Sequence, residues 1–103
     1  MKKLFISQPM KGKSDEEILA TRKKAIESAK RMLETEDVEV IDSFFQSAPA
    51  DAKPLWFLGK SLELLSNADV AFFAEGWEDA RGCRIEKMCA IEYGIPTIEE
   101  CGK

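Results

Sequence analysis

Apolar positions along the chain change period several times, and each change marks an element. The opening run KKLFIS is short, apolar and closed by the turn-rich QPMKGKS, which predicts a strand and then a loop. Ser14 with Glu17 three residues later has the pattern of a capping box, so a helix is expected to start there. Beyond it Ile18, Leu19, Ala25, Ile26, Ala29, Met32 and Leu33 recur at spacings of three, four and seven, one apolar stripe on a long helix. In DVEVI, Val38 and Val40 alternate with Glu39, as on an edge strand.

DSFFQSAPADAKP reads as a loop. In LWFLGKSLELLSNA, Leu55, Leu58, Leu62 and Leu65 define a helical face, Trp56 and Phe57 lie off it, and Gly59 weakens the pattern. DVAFFA is continuously apolar, as a central parallel strand would be. GCRIEKMCAIEYG predicts a helix with Ile85, Met88 and Cys89 inward and Gly94 as its stop. IPTI is a final short strand. Strand and helix alternate throughout, which predicts an α/β fold: a parallel sheet of four to five strands with helices on both faces. The length of 103 residues suits one domain, 1–103, with one modest core.

In such a sheet ligands bind beyond the carboxyl ends of the strands. Here those ends are SQPMKG, DSFF and AEGWEDARG. The stretch SQPMKGKS has Gly12, Lys13 and Ser14 where a phosphate loop of the type G-x-x-x-x-G-K-[ST] has its last three positions, but Ser7 replaces the first glycine. Two looser readings survive: one phosphate held by the backbone of Met10 to Ser14 at a helix start, or an ordinary turn with Lys11 and Lys13 in solvent. In ARGCRIE, Gly82 would let a ligand approach the backbone closely. Glu86 is expected in the first turn of its helix, where the dipole favours the charged carboxylate. That suits a nucleophile or an ion pair, and equally suits helix stability alone.

Composition removes several classes. A net charge of -4 argues against a nucleic-acid polymer as partner, although Lys2, Lys3, Lys11 and Lys13 form a local basic patch. Cys83, Cys89 and Cys101 lack zinc spacing and the chain has no histidine, so free thiols in a reducing cytoplasm are expected, with no metal and no cofactor. The N-terminal apolar run, broken at Gln8 and Pro9, is too short for a signal peptide, and nothing approaches a membrane span.

KLFISQPMKG, followed by LLSNADVAFFAEGWEDARGCRIEKMCAIEYGIPTI, resembles the nucleoside 2-deoxyribosyltransferase superfamily, in particular its small bacterial and phage branch with a Trp-x-x-Ser-x-Gly-Ala-x-x-Glu pattern. The resemblance spans nearly the whole chain and implies a flavodoxin-like (Rossmann-like) three-layer sandwich. It also implies cleavage or transfer of the N-glycosidic bond of a nucleoside or its 5′-monophosphate. On this resemblance Glu86 is the nucleophile and Glu75 an acid that contacts the base. Pro9, Met10, Lys11 and Gly12 fall where the monophosphate hydrolases of the family hold sugar and phosphate, Gly82 matches the family's glycine before the nucleophile, and Asp69 is structural; Ser7, Gln8, Trp77 and Ala80 are further expected substrate-binding residues. Two departures remove hydrogen-bonding groups: Ala80 stands where the family has serine or aspartate, and Phe5 where it has a tyrosine that orients the nucleophile. The partner implied is a small nucleoside or nucleotide, in a homodimer or higher homo-oligomer that uses the helix around Trp56 and Phe57. A non-catalytic nucleotide binder of the same fold, and a scaffold presenting Trp56, Phe57 and Trp77, are the competing expectations.

Overall fold

The computed structural model describes residues 1–9, 13–41 and 50–100. In chain order the elements are β1 (Lys2–Ser7), α1 (Asp15–Leu33), β2 (Val38–Val40), α2 (Pro54–Leu65), β3 (Val70–Phe73), a 3₁₀ turn (Trp77–Asp79), α3 (Arg81–Glu92) and β4 (Thr97–Glu99). The strands form one all-parallel sheet in the order β2-β1-β3-β4. The chain therefore has the expected α/β, flavodoxin-like three-layer arrangement. β3 is central with all four residues buried, and β2 is an edge, as its alternation with Glu39 foretold.

Alternation along the two inner strands sorts their side chains into two cores. Leu4, Val70 and Phe72 face α1 and meet Ala25 and Ala29. Phe5, Ala71 and Phe73 face the other way and meet Leu65 of α2 and Ala90 of α3. Ser7 follows Phe5 by two residues, so β1 carries its hydroxyl to the α2/α3 side. The Ser7 backbone is fixed there: Ser7 is in register with Phe73, and its carbonyl accepts the Ala74 N–H at 2.9 Å. Burying Phe5 and Phe73 contributes about 1.5–3 kcal/mol each. Asp69 closes the β1–β3 seam at its other end, where its carboxylate accepts the Lys3 N–H at 2.7 Å.

The helix starts and stops follow local chemistry. The Ser14 hydroxyl accepts from the Glu17 N–H and the Glu17 carboxylate accepts from the Ser14 N–H, the capping box expected at the start of α1. Gly94, with φ +75°, ends the last helix in a conformation that costs a glycine little.

The inward faces differ from the expected stripes at several positions. Leu19 is 63% exposed because α1 meets the sheet along the line of Ala25 and Ala29 and Leu19 lies to one side of it; Met32, in the last turn of α1, is exposed as well. Leu55 is 76% exposed: the inward line of α2 passes through Leu58, Ser61, Leu62 and Leu65 and leaves its first turn outside. Met88 is exposed too, because the buried line of α3 is Cys83, Glu86, Lys87 and Ala90. Those four follow the i, i+3, i+4, i+7 rule of a buried helical face, but two of them are charged. Lys87 satisfies its charge against Glu99 of β4, and its ammonium lies 4.1 Å from the centre of the Trp77 ring and 5.6 Å from that of Phe73. Trp77 is thus half-buried, with its ring packed against the core.

Candidate active site

Glu86 is only 9% exposed and accepts a 2.6 Å hydrogen bond from the Ser7 hydroxyl. The contact joins α3 to the carboxyl end of β1, the region where this architecture places ligands. Ser61 of α2 lines the same cavity as Glu86, so three elements converge around one acid. Glu86 is the sixth residue of α3, which starts at Arg81, and so sits in the second turn rather than the first. Support from the helix dipole falls off beyond the first turn. Burial pushes the Glu86 pKa up, and the hydroxyls of Ser7 and Ser61 oppose it without cancelling it. The expectation of a dipole-stabilised acid is therefore corrected: hydroxyl donors, working against desolvation, set the state of this carboxylate.

The Cys83 thiol adjoins the same group. Burial raises its pKa, the nearby Ser7 hydroxyl lowers it, and the Glu86 charge raises it again. Ser7, Ser61, Cys83 and Glu86 line a cavity of about 310 Å³ whose rim includes Gln8, Pro9, Ala80 and Gly82. That volume is at the lower end of small-molecule sites, about 300–1,000 Å³. A Cβ built on Gly82 meets nothing within 4 Å, so internal packing does not require glycine there. Ala80 is the N-cap of α3 and makes no side-chain cap bond. The turn before it is held by Gly76, at φ +92°, and by the Arg84 guanidinium, which donates to the Glu78 carbonyl at 2.8 Å.

Neither a family model nor a curated protein matches the chain.

Glu75 stands apart from Glu86. It lines a second cavity, about 200 Å³, on the α1 side, together with Lys13, Glu17, Thr21, Lys24 and Glu100. Its N–H donates to Glu100 at 3.0 Å, and Glu100 pairs with Lys24 at 3.1 Å. Gln8 and Pro9 line both cavities and form the divide between them. Pro9 is in van der Waals range of Gly76, where an added Cβ would lie 3.5 Å from its ring.

Of the residues expected at the site, Ser7, Gln8, Pro9, Ala80 and Gly82 gather around Glu86, whereas Glu75 is in the neighbouring cavity and Trp77 lines neither. Met10, Lys11 and Gly12 lie outside the described residues, as does Cys101. At the described end of the first loop, the Ser14 N–H is already taken by the Glu17 carboxylate at 2.9 Å, and Asp15 and Glu16 crowd the same turn. An anion seated on that N–H would have to displace Glu17 and face two further acids. The loss implied by Phe5 is also corrected, since Ser7, on the same face of the same strand, supplies Glu86 with a hydroxyl. Ser61 was missed by sequence reasoning. Its signal was a serine three residues after Leu58 and four before Leu65, inside an apolar stripe. Among the described residues no three His, Cys, Asp or Glu side chains cluster to hold a metal, and no helix is long and apolar enough to cross a membrane.

Proposed function

We propose that the protein cleaves or transfers the N-glycosidic bond of a nucleoside or its 5′-monophosphate, with Glu86 as nucleophile. The observation that carries this reading is a buried carboxylate, fixed by hydroxyls, in a cavity at the carboxyl end of a central strand. The resemblance of the flanking motifs to nucleoside 2-deoxyribosyltransferases agrees with it. The Glu86 carboxylate attacks the anomeric carbon as the bond to the base breaks. The electron pair of that bond leaves with the base, and the sugar is left esterified to Glu86. Water or a second base then attacks the same carbon, frees the carboxylate and gives up a proton, which neutralises the released base. Burial favours this chemistry, because a fixed anion in a site of low dielectric stabilises an oxocarbenium-like transition state better than one in water. A substrate with its sugar over Glu86 and its base across Pro9 reaches Glu75, which then hydrogen-bonds the departing base.

A second reading, binding without turnover, is favoured by Ala80, which offers the cavity no hydrogen bond, and by the raised pKa of Glu86. The two readings separate in one experiment. A thermal-shift panel of nucleosides and 5′-monophosphates identifies a ligand by its stabilisation of the native state. Chromatography of the same mixtures then looks for free base. Release by the wild type and none by Glu86→Gln supports the enzyme. Stabilisation without release supports the binder, and neither effect with any compound rejects both.

The proposal extends to a two-fold dimer through α2. Leu55 and Phe57 are exposed on this helix, and Trp56 meets Phe57 edge to face at 5.1 Å. Sedimentation at micromolar concentration tests it, and a lone monomer rejects it. Free Cys83 and Cys89 support a reducing, cytoplasmic setting.

A further inference from the structure

Three features around Glu86 belong together. The Ser7 hydroxyl, on a backbone anchored in the middle of the sheet, points at Glu86 Oε1. Ser61 comes to the same cavity from α2, and Cys83, one turn before Glu86, lines it too. A serine hydroxyl has one proton to donate and two lone pairs to accept with, and Ser7 commits that proton to Glu86.

We propose that Ser7 and Ser61 are positioning residues for Glu86, a two-hydroxyl clamp that holds its carboxylate in one orientation toward the cavity. This rests on the assignment of Glu86 as the reacting group, but the clamp itself can be observed without substrate. Among the described residues that line this cavity Glu86 is the one charged group, and its polar neighbours there are Ser7, Gln8, Ser61 and Cys83. On α2 the ionisable Lys60 and Glu63 pair with each other at 3.5 Å in solvent. On α3, Lys87 turns to Glu99 of β4. Glu78 and Asp79 of the 3₁₀ turn are exposed. The hydroxyls work against the desolvation of a buried acid, so removing either one should make the carboxylate harder to ionise.

The decisive measurement is the carboxyl titration of Glu86 by carbon-13 NMR in the full chain with no substrate present. It compares wild type with Ser7→Ala, Ser61→Ala and Ser7→Thr. The clamp requires an upward move of the Glu86 midpoint in both alanine variants and a near wild-type midpoint in Ser7→Thr, which keeps the hydroxyl. A purely structural role for the serines would leave the midpoint in place, and that result overturns the proposal. Where the wild type turns over a nucleoside, the acidic limb of its kcat/KM profile should move with the midpoint, and kcat should fall about tenfold or more while KM changes less. An acidic limb that stays fixed in both alanine variants also overturns the clamp. Absence of turnover in the wild type, together with a moving midpoint, rejects the glycosidase reading and leaves the clamp standing.

Discussion

Glu86 and Lys87 are neighbours in sequence, opposite in charge and both buried, yet they do not pair with each other. Successive residues on a helix diverge by about 100°. Glu86 therefore turns to the carboxyl end of β1 and meets Ser7, while Lys87 turns to β4 and meets Glu99. The acid faces a cavity, and the base is enclosed by aromatic rings and an edge strand. One residue carries candidate chemistry and the other fixes the helix that carries it.

Glu86→Gln should abolish base release and leave the protein more stable at neutral pH. The folded pKa of Glu86 lies above its unfolded value, so the native state binds the extra proton between the two. Its contribution to stability is fully present below the unfolded pKa and is lost as pH rises through the folded pKa. Glutamine mimics the protonated form. Each kcal/mol so recovered raises Tm by about 4–8 °C in a domain of this size. Melting curves should therefore separate at pH 7 and converge in acid. A variant less stable than wild type at neutral pH would contradict this account.

Lys87 and Glu99 should respond unequally to mutation. Lys87→Met removes the charge but keeps a long apolar stem against Trp77, and should cost about 1 kcal/mol or less. Glu99→Ala leaves the Lys87 ammonium against ring faces with water entering where the half-exposed Glu99 stood, and should cost more, about 1–3 kcal/mol. Urea denaturation of the two variants reads the difference directly. Equal losses would show that the pair, rather than the burial of one member, sets the stability.

Ala80→Ser should act twice. As the N-cap of α3, with extended backbone and no cap bond of its own, Ala80 is a position where serine stabilises by about 1 kcal/mol. It also borders the Glu86 cavity, where a new hydroxyl can bond a substrate oxygen. Such a bond, if realised in the transition state, is worth about 1.5–3 kcal/mol, or roughly one to two powers of ten in kcat/KM. A rise in Tm with unchanged kinetics would confine the effect of the hydroxyl to the helix start.

Gly82→Ala should stabilise the fold and weaken the ligand. Inside a helix alanine is favoured over glycine by about 0.5–1 kcal/mol, and the open space around Gly82 admits the methyl group. The same methyl projects beside the cavity that Gly82 lines. The expected signature is a higher Tm without ligand and a smaller ligand-induced shift. Full retention of that shift would show that no ligand approaches the backbone at Gly82.

The element order, the parallel sheet and the places of β2 and β3 were legible in the sequence, because DVEVI and DVAFFA obey the rules for a half-covered and a fully covered strand. The capping box at Ser14 and Glu17 was equally plain, since it needs only local contacts. The rotation of α3 was not. Apolar periodicity pointed to Ile85, Met88 and Cys89; Cys89 does pack against the core and Ile85 is half-buried, but Met88 is exposed and the helix buries Glu86 and Lys87 instead. Charges enter a core only when a partner waits there, and their partners, Ser7 and Glu99, are remote in sequence. Ser61 was hidden for the same reason. The rules of local pattern fail in this chain where the candidate site is built, as they do when function overrides packing. The separation of Glu75 from Glu86 was also invisible, because it depends on which side of Pro9 each loop residue falls.

Both margins of the sheet are three-residue strands, and each carries a glutamate: Glu39 on β2 and Glu99 on β4. Short, charged margins discourage a further strand from docking. The backbone of β2 offers a visiting strand only a brief ladder beside an acid, and β4 is tied back to the interior through Lys87. Growth of the sheet from one molecule into the next is thus disfavoured at both ends. Copies of this chain that associate as proposed above would then meet through their helical layers rather than edge to edge.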